Sequence, residues 1–83
     1  MGELSTLPNI SKVIEDKLNE VDIFTTDQLM ELGSRETFIR IRTKYPEACI
    51  NMLCAIEGAI EGIRWHNLSD AKKAELKVFY GTL

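Results

Sequence analysis

The sequence predicts an all-α fold, a five-helix single domain. Apolar residues recur every three or four positions along most of the chain, which is the period of a helix with one buried face. Residues that start or stop helices lie at the ends of these apolar repeats. No stretch alternates apolar and polar residues as a half-buried strand does. We therefore expect residues 1–6 to be a flexible leader and residues 7–83 to form one helical domain.

The first predicted helix spans residues 11–20 and follows a turn at residues 7–10. One face of it is marked by apolar residues at helical spacing: Ile10, Ile14, Leu18 and Val21. The polar positions, Glu15 among them, are expected to face water. Pro8 favours a turn because its ring fixes φ and removes the N–H donor.

Two further helices are predicted, over residues 26–32 and 35–43. Thr25 and Gln28 fit a capping box, in which each side chain bonds the backbone N–H of the other residue. Gly33 is expected to end the second helix, and Ser34 to cap the third. Pro46 ends the third helix, because the residue before a proline disfavours the helical conformation.

The fourth helix, predicted over residues 47–63, is expected to be the longest and to lie at the centre of the fold. Its apolar side chains cover about a third of the circumference: Cys49, Met52, Leu53, Ile56, Ala59, Ile60 and Ile63. Glycine inside a helix costs about 1 kcal/mol relative to alanine, so Gly58 indicates a close packing contact. Only Glu57, Glu61 and Arg64 are expected to face water, which implies that other helices surround this one.

A fifth helix is predicted between Ser69, its N-cap, and Gly81, which ends it. Its apolar surface is assigned to Ala71, Ala74, Leu76, Val78 and Phe79. The link before this helix contains Trp65 and His66. Trp65 is interpreted as a plug where the link crosses the core. The alternative is a recognition surface, since tryptophan is common in binding hot spots.

Charge is unevenly distributed along the chain, whose formal net charge is −3. Residues 1–33 carry two lysines against seven acidic residues, and residues 34–46 carry four basic residues against one acid. The basic residues of the second segment are Arg35, Arg40, Arg42 and Lys44. We interpret them as a solvated helix face, and the alternative is a patch for an anionic partner.

Several classes of location and chemistry are disfavoured by the sequence. No apolar run approaches the roughly 20 residues that span a membrane, and no secretory signal is recognisable. A cytoplasmic location without membrane partners is therefore expected. Cys49 and Cys54 lie about 140° apart around one helix, so they cannot chelate a metal together or form a disulfide there. Both are expected to be buried thiols, and we predict no metal site, no cofactor and no small-molecule substrate.

Catalytic residues are not evident either. Glu57 and Glu61 share one helical face and resemble a pair of carboxylates suited to acid–base chemistry. Arg64 follows Glu61 by three residues, so an exposed ion pair explains them better. We assign no catalytic residue and do not expect an enzyme.

Three stretches carry a resemblance to a known family: LPNISKVIEDKLNEVDIFTTDQLMELGS, RIRTKYP and NMLCAIEGAIEGIRWHNLSDAKKAELKVFY. Together they resemble the C-terminal domain of the TfoX/Sxy family of bacterial competence, or DNA-transformation, regulators. The similarity covers about residues 7–80. Its most specific block is residues 51–65, with the EGAIEG core and the terminal RW pair. The resemblance implies a regulatory module, here as a stand-alone short protein.

The first two predicted helices also resemble the helix-hairpin-helix element of DNA-repair and recombination proteins. In that element the hairpin is usually glycine-rich, so that its amides approach a phosphate. The residues that correspond to it here are Pro8, Asn9, Ile10, Ser11 and Lys12, which include no glycine. Asparagine tolerates positive φ, so the turn is compatible with the resemblance.

Two functions follow as expectations. The first is a non-enzymatic regulatory module that binds an unidentified protein partner, with the basic third helix and the link as the favoured surface. The residues of that surface are Arg35, Arg40, Arg42, Lys44, Arg64, Trp65 and His66. The alternative is weak, sequence-tolerant DNA binding through the hairpin and the third helix. The net negative charge of residues 1–33 disfavours it, because affinity for a duplex comes largely from cations that displace counterions. The sequence leaves the oligomeric state open.

Overall fold

The computed structural model describes residues 3–83, which form four α-helices and two short 3-10 segments. The helices are α1 (Lys12–Glu20), α2 (Thr26–Lys44), α3 (Ile50–Glu61) and α4 (Asp70–Gly81). The 3-10 segments are Glu3–Thr6, before α1, and Trp65–Asn67, between α3 and α4. The described residues contain no strand, so the predicted all-α class is confirmed.

The prediction of five helices was wrong, because residues 3–83 contain four. The second and third predicted helices are continuous in α2, which kinks at Gly33 and does not end there. Gly33 has φ 80° and ψ 167°, outside the helical range, and the helix resumes at Ser34 without a connecting loop. The two halves of α2 therefore follow each other directly across a kink at one non-helical glycine, and together they count as one helix. At 19 residues, α2 is also longer than α3, which has 12 and was expected to be the longest.

The boundaries of α3 are narrower than predicted because both ends have their own local structure. The helix begins after Cys49, which has an extended backbone. It ends at Gly62, whose φ of 77° is left-handed. The N–H of Ile63 then bonds the carbonyl of Gly58 at 2.9 Å, which closes the C-terminal turn as a helix-ending glycine commonly does.

The core is built around α3, as predicted. This helix contacts α2, α4 and the 3-10 segment Trp65–Asn67. Its buried residues are Leu53, Cys54, Ala55, Ile56, Gly58 and Ala59. The neighbouring helices contribute Phe38 and Ile41 from α2 and Leu76 from α4, all almost fully buried. Neighbouring elements thereby cover most of α3, and only Asn51 and Glu61 of this helix are exposed.

Capping signals in the sequence correspond to caps in the structure. The hydroxyl of Thr25 accepts the N–H of Gln28, and the Gln28 side chain accepts the N–H of Thr25, both at 3.1 Å. At the start of α4, the hydroxyl of Ser69 accepts the N–H of Lys72 at 3.0 Å. The predicted capping box and the Ser69 cap are confirmed.

The segment Glu3–Thr6 is held against α1 and α2, although the sequence placed it in a flexible leader. Leu4 is fully buried. The carboxylate of Glu3 accepts the N–H and the hydroxyl of Thr26, at 3.0 and 2.8 Å, at the start of α2. The N–H of Ser5 donates to Glu15 at 3.3 Å, and Glu15 is buried where the sequence predicted it to face water. Met1 and Gly2, the rest of that leader, lie outside the described residues.

Candidate functional site

The turn of the predicted hairpin is bound to the end of α3. Asn9 has φ 69°, a left-handed conformation that asparagine tolerates better than most residues. Its Nδ2 donates to the carbonyls of Ile63 at 2.9 Å and Ala55 at 3.4 Å. Its Oδ1 accepts the backbone N–H of Trp65 at 3.1 Å. One side chain therefore connects the N-terminal turn to α3 and to the link before α4.

The other hairpin residues make few contacts that suit a phosphate. Pro8 is half-buried and Ile10 is buried. The hydroxyl of Ser11 caps α1. Lys12 is exposed and pairs with Asp16 at 3.6 Å. Within the described residues, this turn presents one cation to an incoming anion, and that cation is already paired.

Two residues of the basic segment face α4. The guanidinium of Arg35 pairs with Glu75 at 3.8 Å and lies over the ring of Phe79, 5.8 Å from its centroid. The guanidinium of Arg42 lies 4.9 Å from the centroid of the Tyr80 ring. Nη1 of Arg42 is buried and has no hydrogen-bond partner among residues 3–83. Both arginines therefore serve partly to join α2 and α4.

The other two basic residues lie on a different side of α2. Arg40 pairs with Glu36 at 3.4 Å, and Lys44 pairs with Glu20 of α1 at 3.3 Å. At about 100° per residue, these positions are on the opposite side of α2 from the two arginines that face α4. The structure thus divides the four basic residues between two surfaces, and each pair has acidic or aromatic neighbours.

The link residues lie at the surface. Trp65 and His66 stack with ring centroids 4.2 Å apart, and Trp65 is 36% exposed, so it is not the core plug that we predicted. The ammonium of Lys73 donates to the carbonyl of His66 at 3.1 Å. Arg64 is exposed, and no salt bridge with Glu61 is found in the described part of the chain. An aromatic pair therefore borders the N-terminal end of α4.

The outer side of α4 is apolar and has a groove along each flank. Ala71 and Ala74 are exposed, and Val78 is 71% exposed. A groove of about 530 Å³ follows one flank and is bordered by Arg35. A second groove of about 390 Å³ follows the other flank and is bordered by Trp65. We call Ala71, Ala74 and Val78, together with these two grooves, the α4 face.

Sequence reasoning missed the α4 face because it grouped Ala71, Ala74, Leu76, Val78 and Phe79 in one apolar surface. Leu76 is buried, as expected, but Ala71, Ala74 and Val78 are exposed. Their spacing of three and four residues defines a second stripe about opposite Leu76. That second stripe was the available signal.

Glu57 is a structural connection and does not belong to a water-facing arc. Its side chain is only 13% exposed, accepts the hydroxyl of Ser34 on α2, and lies 3.8 Å from the ammonium of Lys72 on α4. Burial raises the pKa of Glu57, but hydrogen bonds from Glu61 and Ser34 and the charge of Lys72 outweigh burial and hold it below its ordinary value. The carboxyl of Glu57 therefore joins three helices.

The two cysteines have different environments. Cys49 is exposed, contrary to expectation, and Cys54 is buried, which raises the pKa of the Cys54 thiol. Both thiols are free. Within residues 3–83, no group of three or more His, Cys, Asp or Glu residues is placed to hold a metal ion.

Comparisons with known proteins identify the family of this chain. A family model described as the TfoX C-terminal domain matches residues 1–80. Two crystal structures of Listeria monocytogenes proteins, one called uncharacterized and one of unknown function, each share 48% identity and a TM-score of 0.94. They cover 95% and 96% of this chain, and 90% and 98% of their own chains. No curated protein matches significantly. The chain belongs to the TfoX C-terminal domain family.

The family match agrees with the resemblance found in the sequence and suggests a regulatory module. It does not correspond to a known enzyme family. Among the described residues, no helix combines the length and apolar character needed to cross a membrane.

Proposed function

We propose that this member of the TfoX C-terminal domain family is a non-enzymatic, cytoplasmic regulatory module of bacterial competence that acts by binding a protein partner. Family membership supports the regulatory role. The α4 face supports a role in protein contact, because it presents apolar side chains beside grooves and an exposed tryptophan. Aromatic and arginine residues next to apolar pockets are typical of binding hot spots.

The observation that carries this proposal is the exposure of Val78. A valine on an exposed helix face contributes little to the core. Val78 lines the groove bordered by Arg35, and Ala74 beside it lines both grooves. Arg35 borders the groove on one flank and Trp65 the groove on the other. The α4 face therefore includes one residue of the basic segment and the link, which were the two parts of the favoured surface. Arg40 and Lys44 lie on the other side of α2, where Lys44 pairs with Glu20 of α1, and are not part of the α4 face.

Capture from the native host tests this proposal with variants of the complete chain. Val78→Glu places a charge on the α4 face, and Trp65→Ala removes the aromatic border. Arg40→Glu is the matched control, because it changes charge at an exposed helical position away from that face. Circular dichroism must first show that all three variants are folded.

We expect a specific partner that wild type and Arg40→Glu retain, and that Val78→Glu and Trp65→Ala lose. The same partners on all four proteins would reject the α4 face as the contact surface. A partner lost only from Arg40→Glu would place contact on the α1 side of α2.

Weak, sequence-tolerant DNA binding is the alternative function. Its support is the similarity of the first helices to a helix-hairpin-helix and the four basic residues between Arg35 and Lys44. Two observations make it the weaker proposal. The Asn9 side chain is engaged with α3 and the link, and the basic residues are divided between two sides of α2.

A further inference from the structure

We infer that the α4 face binds a second copy of this chain, as an antiparallel pair of α4 helices related by a twofold axis. The inference rests on the proposed function and deepens it, because it names a partner for the α4 face. Two features of α4 support it, namely the spacing of its exposed apolar residues and the charges on its two flanks. The length of α4 sets how strong the contact can be.

The exposed apolar residues of α4 have the spacing of a helix–helix seam. Ala71, Ala74 and Val78 are three and four residues apart, as the core positions of a coiled coil are. Val78 is the most exposed of the large apolar residues in the described part of the chain. The two alanines allow a second helix to approach closely, and the grooves beside α4 provide room for side chains on both flanks.

The charges on the flank of this seam that is bordered by the Trp65 groove are complementary to the charges on the same flank of a second copy. Asp70, Lys73 and Lys77 lie on the flank bordered by the Trp65 groove, where the ammonium of Lys73 is turned away from the seam to donate to the carbonyl of His66. Glu75 lies on the flank bordered by the Arg35 groove. In an antiparallel pair with twofold symmetry, each flank meets the same flank of the second copy. Asp70 then faces Lys77 of the second copy, and symmetry repeats this ion pair at the other end of the seam.

Neither Asp70 nor Lys77 has an ion-pair partner within its own chain over residues 3–83. Glu75 on the other flank is already compensated by Lys72 at 3.3 Å and Arg35 at 3.8 Å. A parallel pair would instead bring opposite flanks together and place Asp70 beside Glu75 of the second copy. The charges therefore select the antiparallel arrangement, in which Ala71 packs near Ala74 of the second copy.

The length of α4 limits the affinity that we expect for the dimer. Twelve residues span about 18 Å, which gives a contact smaller than the standard stable interface. We therefore expect a dimer with a dissociation constant on the order of 10–100 µM, weakened by salt because ion pairs contribute to it.

Sedimentation equilibrium of the complete chain with charge-exchange variants tests this inference. Asp70→Lys places two like charges opposite each other in the dimer, and Lys77→Asp does the same with the other sign. Each single variant should be monomeric at concentrations where wild type is dimeric. An equimolar mixture of the two single variants should dimerise, because the positions substituted in Asp70→Lys and Lys77→Asp form one ion pair and the unchanged Lys77 and Asp70 form the other. The double variant should regain the homodimer.

Recovery in the mixture separates a direct contact from a change in folding, because a variant that fails to fold cannot be restored by its counterpart. Circular dichroism and thermal melting check each variant, and Asp70→Asn controls for the position of Asp70 at the start of α4. The inference is overturned if wild type stays monomeric at about 1 mM, well above the expected dissociation constant. It is equally overturned if the single variants still dimerise or if their mixture stays monomeric.

Failure of this inference is distinguishable from failure of the proposed function. If wild type is monomeric but captures a protein that Val78→Glu no longer captures, the α4 face remains a binding surface, and its partner is a different protein. If instead the charge-exchange variants change dimerisation as expected, but no captured protein depends on Val78 or Trp65, the α4 face binds a second copy. The proposal of a separate regulatory partner on that face is then rejected.

Discussion

The side chain of Asn9 lies directly over Gly58, and the two residues are packed so closely that glycine is required there. A Cβ atom at Gly58 would lie 2.6 Å from Nδ2 of Asn9, 2.9 Å from the carbonyl oxygen of Ile63 and 3.2 Å from Cα of Trp65. Nδ2 occupies that position because it donates to the carbonyl of Ile63. The N-terminal turn, the end of α3 and the link therefore meet at one point.

We expect Gly58→Ala to destabilise the protein by about 1–3 kcal/mol, even though alanine is the better helix former. Two of the three close atoms belong to the backbone and cannot rotate away. Gly81→Ala is the matched control, since nothing lies within 4 Å of a Cβ at that helical position. Chemical denaturation should show a loss for Gly58→Ala and no loss for Gly81→Ala. A more stable Gly58→Ala would mean that the turn does not pack on α3.

Asn9 contributes both its backbone conformation and its hydrogen bonds, and two substitutions separate them. Asn9→Gly keeps the left-handed backbone but leaves the carbonyl of Ile63 and the N–H of Trp65 without this partner, at a cost of about 1–3 kcal/mol. Asn9→Ala should cost about 1–2 kcal/mol more, because alanine disfavours φ near 69°. Equal unfolding free energies for the two variants would contradict a strained left-handed turn at this residue.

Local features of the fold were predictable from sequence, and features that depend on distant residues were not. The capping box needs only Thr25 and Gln28, which are three positions apart, so its pattern is visible in the chain. The kink at Gly33 depends on whether the helix resumes, and Ser34 is held by Glu57, which is 23 residues away. No local pattern encodes that contact, so a glycine inside α2 resembled a helix end.

The surface was harder to predict than the core for the same reason. Lys44 and Arg40 form a basic run with their neighbours in sequence, but Lys44 pairs with Glu20 on another helix. The leader resembled a frayed end, although Glu3 bonds Thr26 across 23 residues. Val78 was grouped with Leu76 in one apolar surface, because apolar character alone does not tell which of two stripes on a helix is buried.

Truncation at the centre of α3 should remove much of the stability. Leu53 and Ile56 are fully buried, so Leu53→Ala or Ile56→Ala should cost about 2–5 kcal/mol. Val13→Ala is the control, because Val13 is 63% exposed on α1 and should change the free energy of unfolding by less than about 0.5 kcal/mol. Denaturant titration measures all three. A loss below about 1 kcal/mol at Leu53 would show that α3 is not the centre of the core.

The carboxyls of Glu57 and Glu61 should each contribute to the stability of the fold, and the two contributions should depend on pH in opposite directions. The lowered pKa of Glu57 means that its contribution is present above its unfolded-state pKa and is lost as pH falls through the folded value. The pKa of Glu61 is raised, mainly because its protonated carboxyl hydrogen-bonds Glu57. Its contribution is therefore present below its unfolded-state pKa and is lost as pH rises through the folded value.

Glu61→Gln should retain a hydrogen-bond donor to Glu57 at every pH and remove the repulsion between two carboxylates. We expect it to stabilise the protein at pH 7 by less than about 1 kcal/mol, since Glu61 is exposed, and to lose this advantage near pH 4. Glu31→Gln is the control at an exposed position of α2. Melting temperatures across this pH range measure the difference. An advantage that is constant with pH would show that the two carboxyls do not interact.

Binding to duplex DNA should be weak and strongly salt-dependent. Arg40 and Lys44 lie on one side of α2, and Arg35 and Arg42 face α4, so a duplex meets about two of the four cations at a time. The logarithm of the binding constant should then fall with the logarithm of salt concentration with a slope of about −2, and no steeper than about −4. Fluorescence anisotropy between about 50 and 200 mM salt measures this slope. Arg40→Ala with Lys44→Ala should weaken binding more than Lys12→Ala, because Lys12 is alone at the hairpin. Nanomolar, salt-resistant binding that is abolished by changes at Asn9 or Lys12 would instead make the hairpin a DNA-binding element and reverse the order of the two proposed functions.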